Sequence, residues 1–211
     1  MKKAIMGEKL GMTQIFKEDG ELVSVTVIQA GPCPVVQKKT EEYDGYKAVQ
    51  LGYKKTKNHR VNKPTKGHFD KAGVDYMKHL AEFRLEDADE YEIGQELKVD
   101  QFKAGDIVDV TGTSKSKGYQ GTVKRFGQST GPKTHGSRHY RKPGSIGAMG
   151  DFRVYKNQKM PGRMGGDTVT VQNLEIVDID PEKNVILVKG ALPGPKRSLV
   201  KIVDGVKAET S

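Results

Sequence analysis

Apolar and polar residues alternate along several stretches of this chain, and the alternation predicts strands. From Glu21 to Ala30, Val23, Val25 and Val27 fall on one side and Ser24 and Thr26 on the other, the pattern of a half-buried strand. Met12 to Phe16 is a second strand, joined to it by Glu18-Asp19-Gly20, where glycine can take a positive φ. Gly31-Pro32-Cys33-Pro34 breaks the pattern. Val35 to Lys39 is a short strand, Tyr43-Asp44-Gly45 turns, and Tyr46 to Tyr53 alternates again. Pro64 to Ala72 reads as a short helix, with proline in its first turn and Gly73 ending it. Asp75 to Arg84 fits two periods. Tyr76 and Leu80 have helix spacing, whereas Met77, His79, Ala81 and Phe83 have strand spacing, and both readings stand.

Ile107 to Thr111 is a strand, and Gly118 to Phe126 has room for one or two helical turns. From Gly127 to Gly150 there is no period. Between Gly131 and Asp151 only Tyr140, Ile146, Ala148 and Met149 are apolar, too little surface to order the segment alone, so a partner must order it or it stays disordered. Thr168 to Asp180 is a strand whose phase slips at Leu174, which predicts a bulge. Asp180-Pro181-Glu182-Lys183 turns, Val185 to Val188 is a continuous apolar strand buried on both faces, and Ser198 to Val203 is the last strand. Neither flanking half holds enough strands for a stable sheet alone. The pattern therefore predicts a mainly β protein, a small antiparallel barrel closed from both halves, with short helices and a long internal extension.

Charge sharpens this picture. The formal net charge is +9. Thr113 to Gly165 holds 12 Lys or Arg against the single acid Asp151, and the remainder of the chain sums to −2, with 24 basic and 26 acidic residues. A second basic run, Lys54 to Lys71, has seven cations against Asp70, whereas Glu82 to Asp109 has ten acids and three bases. A field so divided orients a polyanion. In the central stretch ten glycines and the rings of Tyr119, Phe126, Tyr140, Phe152 and Tyr155 are interleaved with the cations, unlike a solvated face of mixed sign.

Other chemistry is poorly supplied. No apolar run approaches the length of a membrane helix, and the basic N-terminus has no apolar run behind it, so neither a membrane partner nor a secretory signal is expected. Cys33, the one cysteine, has nothing near it in sequence to lower its pKa and reads as an inert buried thiol. His135 and His139 are four apart, but Gly136 lies between them and cations surround both, so phosphate or base contact outweighs metal binding. Gly112 to Gly118 lacks the Lys and Ser or Thr of a phosphate loop, and Gly144 to Gly150 lacks dinucleotide spacing. No cofactor and no small-molecule substrate are expected. Cations, hydroxyls and exposed backbone in Ser114 to Gly118 fit a sugar-phosphate chain, and Arg138, His139 and Tyr140 can stack on unpaired bases of folded RNA. A thin glycine-rich loop suits an RNA interior better than a DNA groove, which is usually read by a rigid helix or ribbon.

Seven segments then occur in order: Gly11-Met-Thr-Gln-Ile-Phe16, Gly31-Pro-Cys-Pro-Val-Val36, Asn62-Lys-Pro-Thr-Lys-Gly-His-Phe69, Gly112-Thr-Ser-Lys-Ser-Lys-Gly118, Arg141-Lys-Pro-Gly-Ser-Ile-Gly147, Val169-Thr-Val-Gln-Asn173 and Val188-Lys-Gly-Ala-Leu-Pro-Gly194. Together they resemble the bacterial form of the ribosomal protein L3 family of the large subunit, from Met1 to about Val203. The resemblance implies a six-stranded barrel similar to the second domain of translation factors. It also implies binding of 23S rRNA near its 3′ end early in assembly, packing beside neighbouring large-subunit proteins, a cytoplasmic setting in the ribosome, and an extension reaching toward the peptidyl transferase centre without doing chemistry. Many bacterial members carry a glutamine, methylated in some, after the Ser-Ile-Gly triplet. Here Ala148 stands at that place, so the modification is not carried over.

The domains so drawn are a barrel body at 1–126 plus 162–205 with a small insert at about 54–100, an rRNA-penetrating loop at 127–161, and a tail at 206–211. The rRNA-binding candidates are Lys115, Lys117, Lys124, Arg125, Lys133, His135, Arg138, His139, Tyr140, Arg141, Lys142, Arg153, Lys156, Lys159 and Arg163. The extension tip is Ser145, Ile146, Gly147, Ala148, Met149, Gly150, Asp151 and Phe152. Asp151, an acid at a cationic tip, has Arg153 or a bound cation as candidate partners. The competing reading is a soluble RNA-binding translation factor or RNA chaperone with a similar barrel. An enzyme acting on RNA would need clustered acids with a metal or a histidine pair, and the basic segment has only Asp151.

Overall fold

A computed structural model describes residues 3–208. The ends of the body and tail drawn from sequence, residues 1–2 and 209–211, lie outside the described residues. Strands β1 (Ala4–Phe16) and β2 (Leu22–Ala30) form a hairpin turning at Gly20, whose φ is +83°. An inserted region follows: β3 (Cys33–Lys39), α1 (Glu41–Asp44), β4 (Ala48–Lys55), α2 (Lys63–Ala72), β5 (Met77–Phe83) and β6 (Glu96–Leu97). Then come β7 (Ile107–Thr113), β8 (Tyr119–Gln120), α3 (Thr122–Phe126), β9 (Gly162–Arg163), β10 (Thr168–Asp180), β11 (Val185–Lys189) and β12 (Leu199–Asp204).

Six strands close into an antiparallel barrel in the order β1-β12-β7-β10-β11-β2, so each half of the chain supplies strands that the other half needs. The interior is filled by Ile5, Ile28, Val108, Val110, Ile176, Ile186, Val188, Val200 and Ile202, all buried. Closure also removes most of the unpaired edges that an open sheet would expose. The register of β10 against β7 shifts between Val171 and Leu174, where the apolar phase slips. Asp109, buried, secures that irregularity: its carboxylate accepts hydrogen bonds from the Asn173 backbone (2.9 Å) and from Val206 (3.3 Å).

The insert is a second sheet, ordered β5-β4-β3-β6, with α2 against it. Its apolar residues Val35, Val49, Leu51 and Phe83 join the barrel core in one cluster, while Phe69 of α2 forms a second cluster with Val36 and Met77. The ambiguous stretch 75–84 is a strand from Met77 to Phe83, paired to β4 along its length. Tertiary pairing decides there, because β4 pairs with the strand while Ala81 and Phe83 are buried in the first cluster and Met77 in the second, whereas Leu80 is exposed.

Other details differ from the sequence reading. Met12 to Phe16 is the outer part of a 13-residue strand that starts at Ala4. Thr26 does not face solvent: it is buried, and its hydroxyl donates to the Gly190 carbonyl (2.6 Å). β11 is not buried on both faces. Ile186 and Val188 are buried while Val185 and Leu187 are half-buried, as in a barrel strand with one inner face.

Cys33 lies in the core with its thiol donating to the Met6 carbonyl (3.5 Å), and burial pushes its pKa up to about 12. A thiol so protonated and enclosed is a poor nucleophile. Iodoacetamide at pH 8 is therefore expected to leave the folded chain unlabelled and to label Cys33 fully in denaturant. Labelling of the folded chain at the rate of a free thiol would contradict this burial.

Candidate nucleic-acid interface

Residues Ser114–Asp167 form a compact unit of their own. Its two ends run side by side. The Ser114 amide donates to the Asp167 carbonyl (2.9 Å), the Lys117 amide to Met164 (2.9 Å) and the Met164 amide to Gly118 (3.0 Å), and β8 pairs with β9 through Tyr119 opposite Arg163 and Gln120 opposite Gly162. This close approach requires glycine at Gly165. Its φ is +73°, and a Cβ there would collide with the Lys115 carbonyl oxygen.

Beyond the paired stem, α3 ends at Gly127, whose left-handed backbone (φ +67°) returns its amide to the Val123 carbonyl. Arg125 reaches across to donate to the Met160 carbonyl (2.9 Å), and its guanidinium lies 4.9 Å from the Phe126 ring centroid. Of the candidate cations, Arg125 thus has a task within the unit itself: it ties the helix to the returning leg.

The segment after α3 has turns and no strand before Gly162. A small loop closes where the Gly131 amide donates to the Tyr140 carbonyl (2.9 Å), with His135 at φ +58° between. That loop places Lys133 5.2 Å from the centroid of the Tyr140 ring, and Arg141 lies 5.9 Å from the same ring. Lys133, His135, Arg138, His139, Arg141 and Lys142 are all exposed, and Tyr140 is half-buried. Stacked on an aromatic face, each cation keeps its charge while its apolar stem is partly covered.

At the tip, the Ser145 hydroxyl donates to the Gly147 carbonyl (2.8 Å), and Met149–Asp151 makes a single 3₁₀ turn after Ala148. Met149 and Phe152 are 93% and 95% exposed, and Phe152 takes φ +47°, a backbone state that costs a non-glycine residue energy. Asp151 is not paired with Arg153 among the described residues. The nearby Asp151 carboxylate holds the Tyr155 phenol above its usual pKa, and Arg153 lies 5.7 Å from the Tyr155 ring centroid. Lys156, Lys159 and Arg163 are exposed on the returning leg, as are Lys115, Lys117 and Lys124 on the outgoing one.

Electrostatics separates this unit from the rest. Among the described residues, no cation between Ser114 and Asp167 is in a salt bridge. The acids of 82–109, by contrast, draw lysines of their own unit: Lys39 to Glu82 (3.3 Å), Lys47 and Lys38 to Asp89, and Lys3 to Asp106 (2.8 Å). The second basic run is divided. Lys54 pairs with Glu8 and Lys55 with Asp75, while Arg60, Asn62, Thr65 and Lys78 line a cavity of about 290 Å³ beside the start of α2. The candidate residues named from sequence left this cavity out. Its signal was the run of seven cations between Lys54 and Lys71, but Lys78 comes from the stretch whose strand state periodicity left open.

An exposed cationic loop with no salt bridge among the described residues has the charge of a polyanion-binding surface. A family model for ribosomal protein L3 matches residues 79–185. The large ribosomal subunit protein uL3 of Natranaerobius thermophilus is 65% identical over 210 residues, covering 100% of both chains. The protein of the same name from Carboxydothermus hydrogenoformans is 54% identical over 209 residues, covering 99% of this chain and 100% of the relative. The chain belongs to the ribosomal protein L3 family, whose members are structural proteins of the ribosome and not enzymes.

Proposed function

We propose that the chain is a structural constituent of the large ribosomal subunit in the cytoplasm, binding 23S rRNA near its 3′ end early in assembly and packing beside neighbouring subunit proteins. The barrel body, with its inserted sheet of β3 to β6, docks first. The loop 127–161 then enters the RNA with its tip, 145–152, toward the peptidyl transferase centre. The observation that carries this reading is the unit of twelve exposed Lys and Arg, none of them in a salt bridge among the described residues. Left alone, these charges repel one another. Phosphates cancel the repulsion, and release of the RNA's counterions favours binding. Lys115, Lys117, Lys124, Lys133, Arg138, Arg141, Lys142, Arg153, Lys156, Lys159 and Arg163 contact phosphates in this reading. His135, His139 and Tyr140 contribute planar groups for unpaired bases, and Met149 and Phe152 are apolar surface for an RNA interior.

Sedimentation of a lysate through a high-salt gradient tests it, because salt weakens simple phosphate attraction steeply. About one copy of the chain per large subunit is expected to be retained. A chain found mainly at the top of the gradient would instead be a reversible RNA-binding factor, and the threaded loop would have to be given up.

A further inference from the structure

The β1–β2 hairpin projects past its barrel neighbours, and its outer part lacks two things a finished surface has. Pairing of β1 with β12 ends at Glu8 opposite Leu199, with backbone bonds between Lys9 and Arg197–Ser198 closing that edge. From Gly11 to Phe16 no described strand pairs with the outer edge of β1, whereas β2 is covered as far as Ser24, whose carbonyl accepts from Gly190. The hairpin also exposes apolar surface. Phe16 lies directly opposite Leu22, and Met12 shares their face by the two-residue repeat of a strand. These three are 71%, 51% and 51% exposed, while Val23 on the opposite face is buried. An open edge beside an apolar face invites another chain, and proteins normally blunt or cover such edges.

The charge on the hairpin selects what covers it. Residues 10–24 contain Glu18, Asp19 and Glu21 against one cation, Lys17, which is itself bound to Glu21 at 2.9 Å. In a chain of net charge +9, the hairpin tip from Lys17 to Glu21 is acidic, while Lys196 lies at its base beside Gly11. Phosphates would be repelled from the tip, and a polypeptide carrying Lys or Arg would be drawn to it. We propose that the outer edge of β1 from Met12 to Phe16 is a docking strand for an extended, basic segment of a neighbouring large-subunit protein, added by β-augmentation. Main-chain hydrogen bonds supply the pairing, apolar side chains of the partner cover Met12, Phe16 and Leu22, and its cations meet Glu18 and Asp19. This inference rests on the chain being a subunit constituent.

The test uses large subunits isolated with the chain in place and, separately, the free full-length chain. Both are treated with a water-soluble carbodiimide, which joins carboxylates to lysines in direct contact, and with hydroxyl radicals. Cross-links from Glu18 or Asp19 to lysines of one other subunit protein are expected, together with loss of the oxidation of Met12 and Phe16 seen in the free chain. The Phe16→Ser/Leu22→Ser variant is expected to lower the copies of that neighbour per subunit. Glu18→Lys/Asp19→Lys, at an exposed turn that leaves the barrel core untouched, is expected to do the same even if the first variant folds poorly. The inference is overturned if Met12 and Phe16 oxidise equally in subunit and free chain, if the contacts go to RNA, or if they join two copies of this chain. A chain absent from the subunit altogether would instead sink the proposed function.

Discussion

Replacing Arg138, Arg141 and Lys142 together by glutamate is expected to move the chain from the large-subunit peak to the top of a high-salt gradient. All three side chains are exposed and in no salt bridge among the described residues, and the Tyr140 ring beside Arg141 is also flanked by Lys133, so the local fold has little to lose. Stability of the free chain is expected to change by less than about 0.5 kcal/mol, as for ordinary surface substitutions. The loss then falls on binding. The milder triple glutamine variant separates charge from shape: its salt dependence of RNA binding should flatten by about one unit of log–log slope for each phosphate contact removed, roughly three in all. An unchanged slope with intact assembly would mean that these cations face solvent in the bound state, and the loop would need another role.

Phe69→Ala has the largest expected effect on the fold. Phe69 is the one fully buried side chain of α2; it packs against Val36 and Met77, with the Tyr76 ring edge-on at 6.0 Å. Removing a buried aromatic ring typically costs about 3–5 kcal/mol, which for a chain of this size lowers Tm by about 10 °C. Little else holds the helix. His68 bonds Gln50 of β4 (2.6 Å), and Tyr76 bonds Asp70 at the exposed surface. The loss is therefore expected to appear first as faster hydrogen exchange in Lys63–Ala72, with the barrel amides slower to respond. Phe69→Leu should recover most of the stability. If α2 exchanged as in the parent, the second cluster would not be what docks the helix, and the cavity lined by Arg60 and Lys78 would not depend on it.

Much of the local structure is written in the chain at short range. The alternation of Val23 and Val25, the turn at Gly20, the helix that starts near Pro64 and stops at Gly73, and the slipped phase at Leu174 each depend on neighbours a few residues away, and each has its counterpart in the structure. The concentration of twelve cations between Thr113 and Gly165 is likewise a property of the sequence alone, and with it the expectation of a polyanionic partner.

Tertiary structure decided what periodicity could not. Met77–Phe83 fits two periods and became a strand only because β4 offers it an edge and the cores on either side bury Met77, Ala81 and Phe83. Thr26 looks polar in a list of residues, yet the carbonyl of Gly190, 164 positions away, gives its hydroxyl a buried partner. The Met160 carbonyl takes the guanidinium of Arg125, 35 positions away, across a chain reversal that no local pattern announces. The order β1-β12-β7-β10-β11-β2 joins first strand to last. Hydrophobic alternation says which face of a strand is buried, but its range is a few residues. Which strand lies beside which is set by hydrogen bonds and packing between segments far apart in sequence, and only the folded chain brings those together.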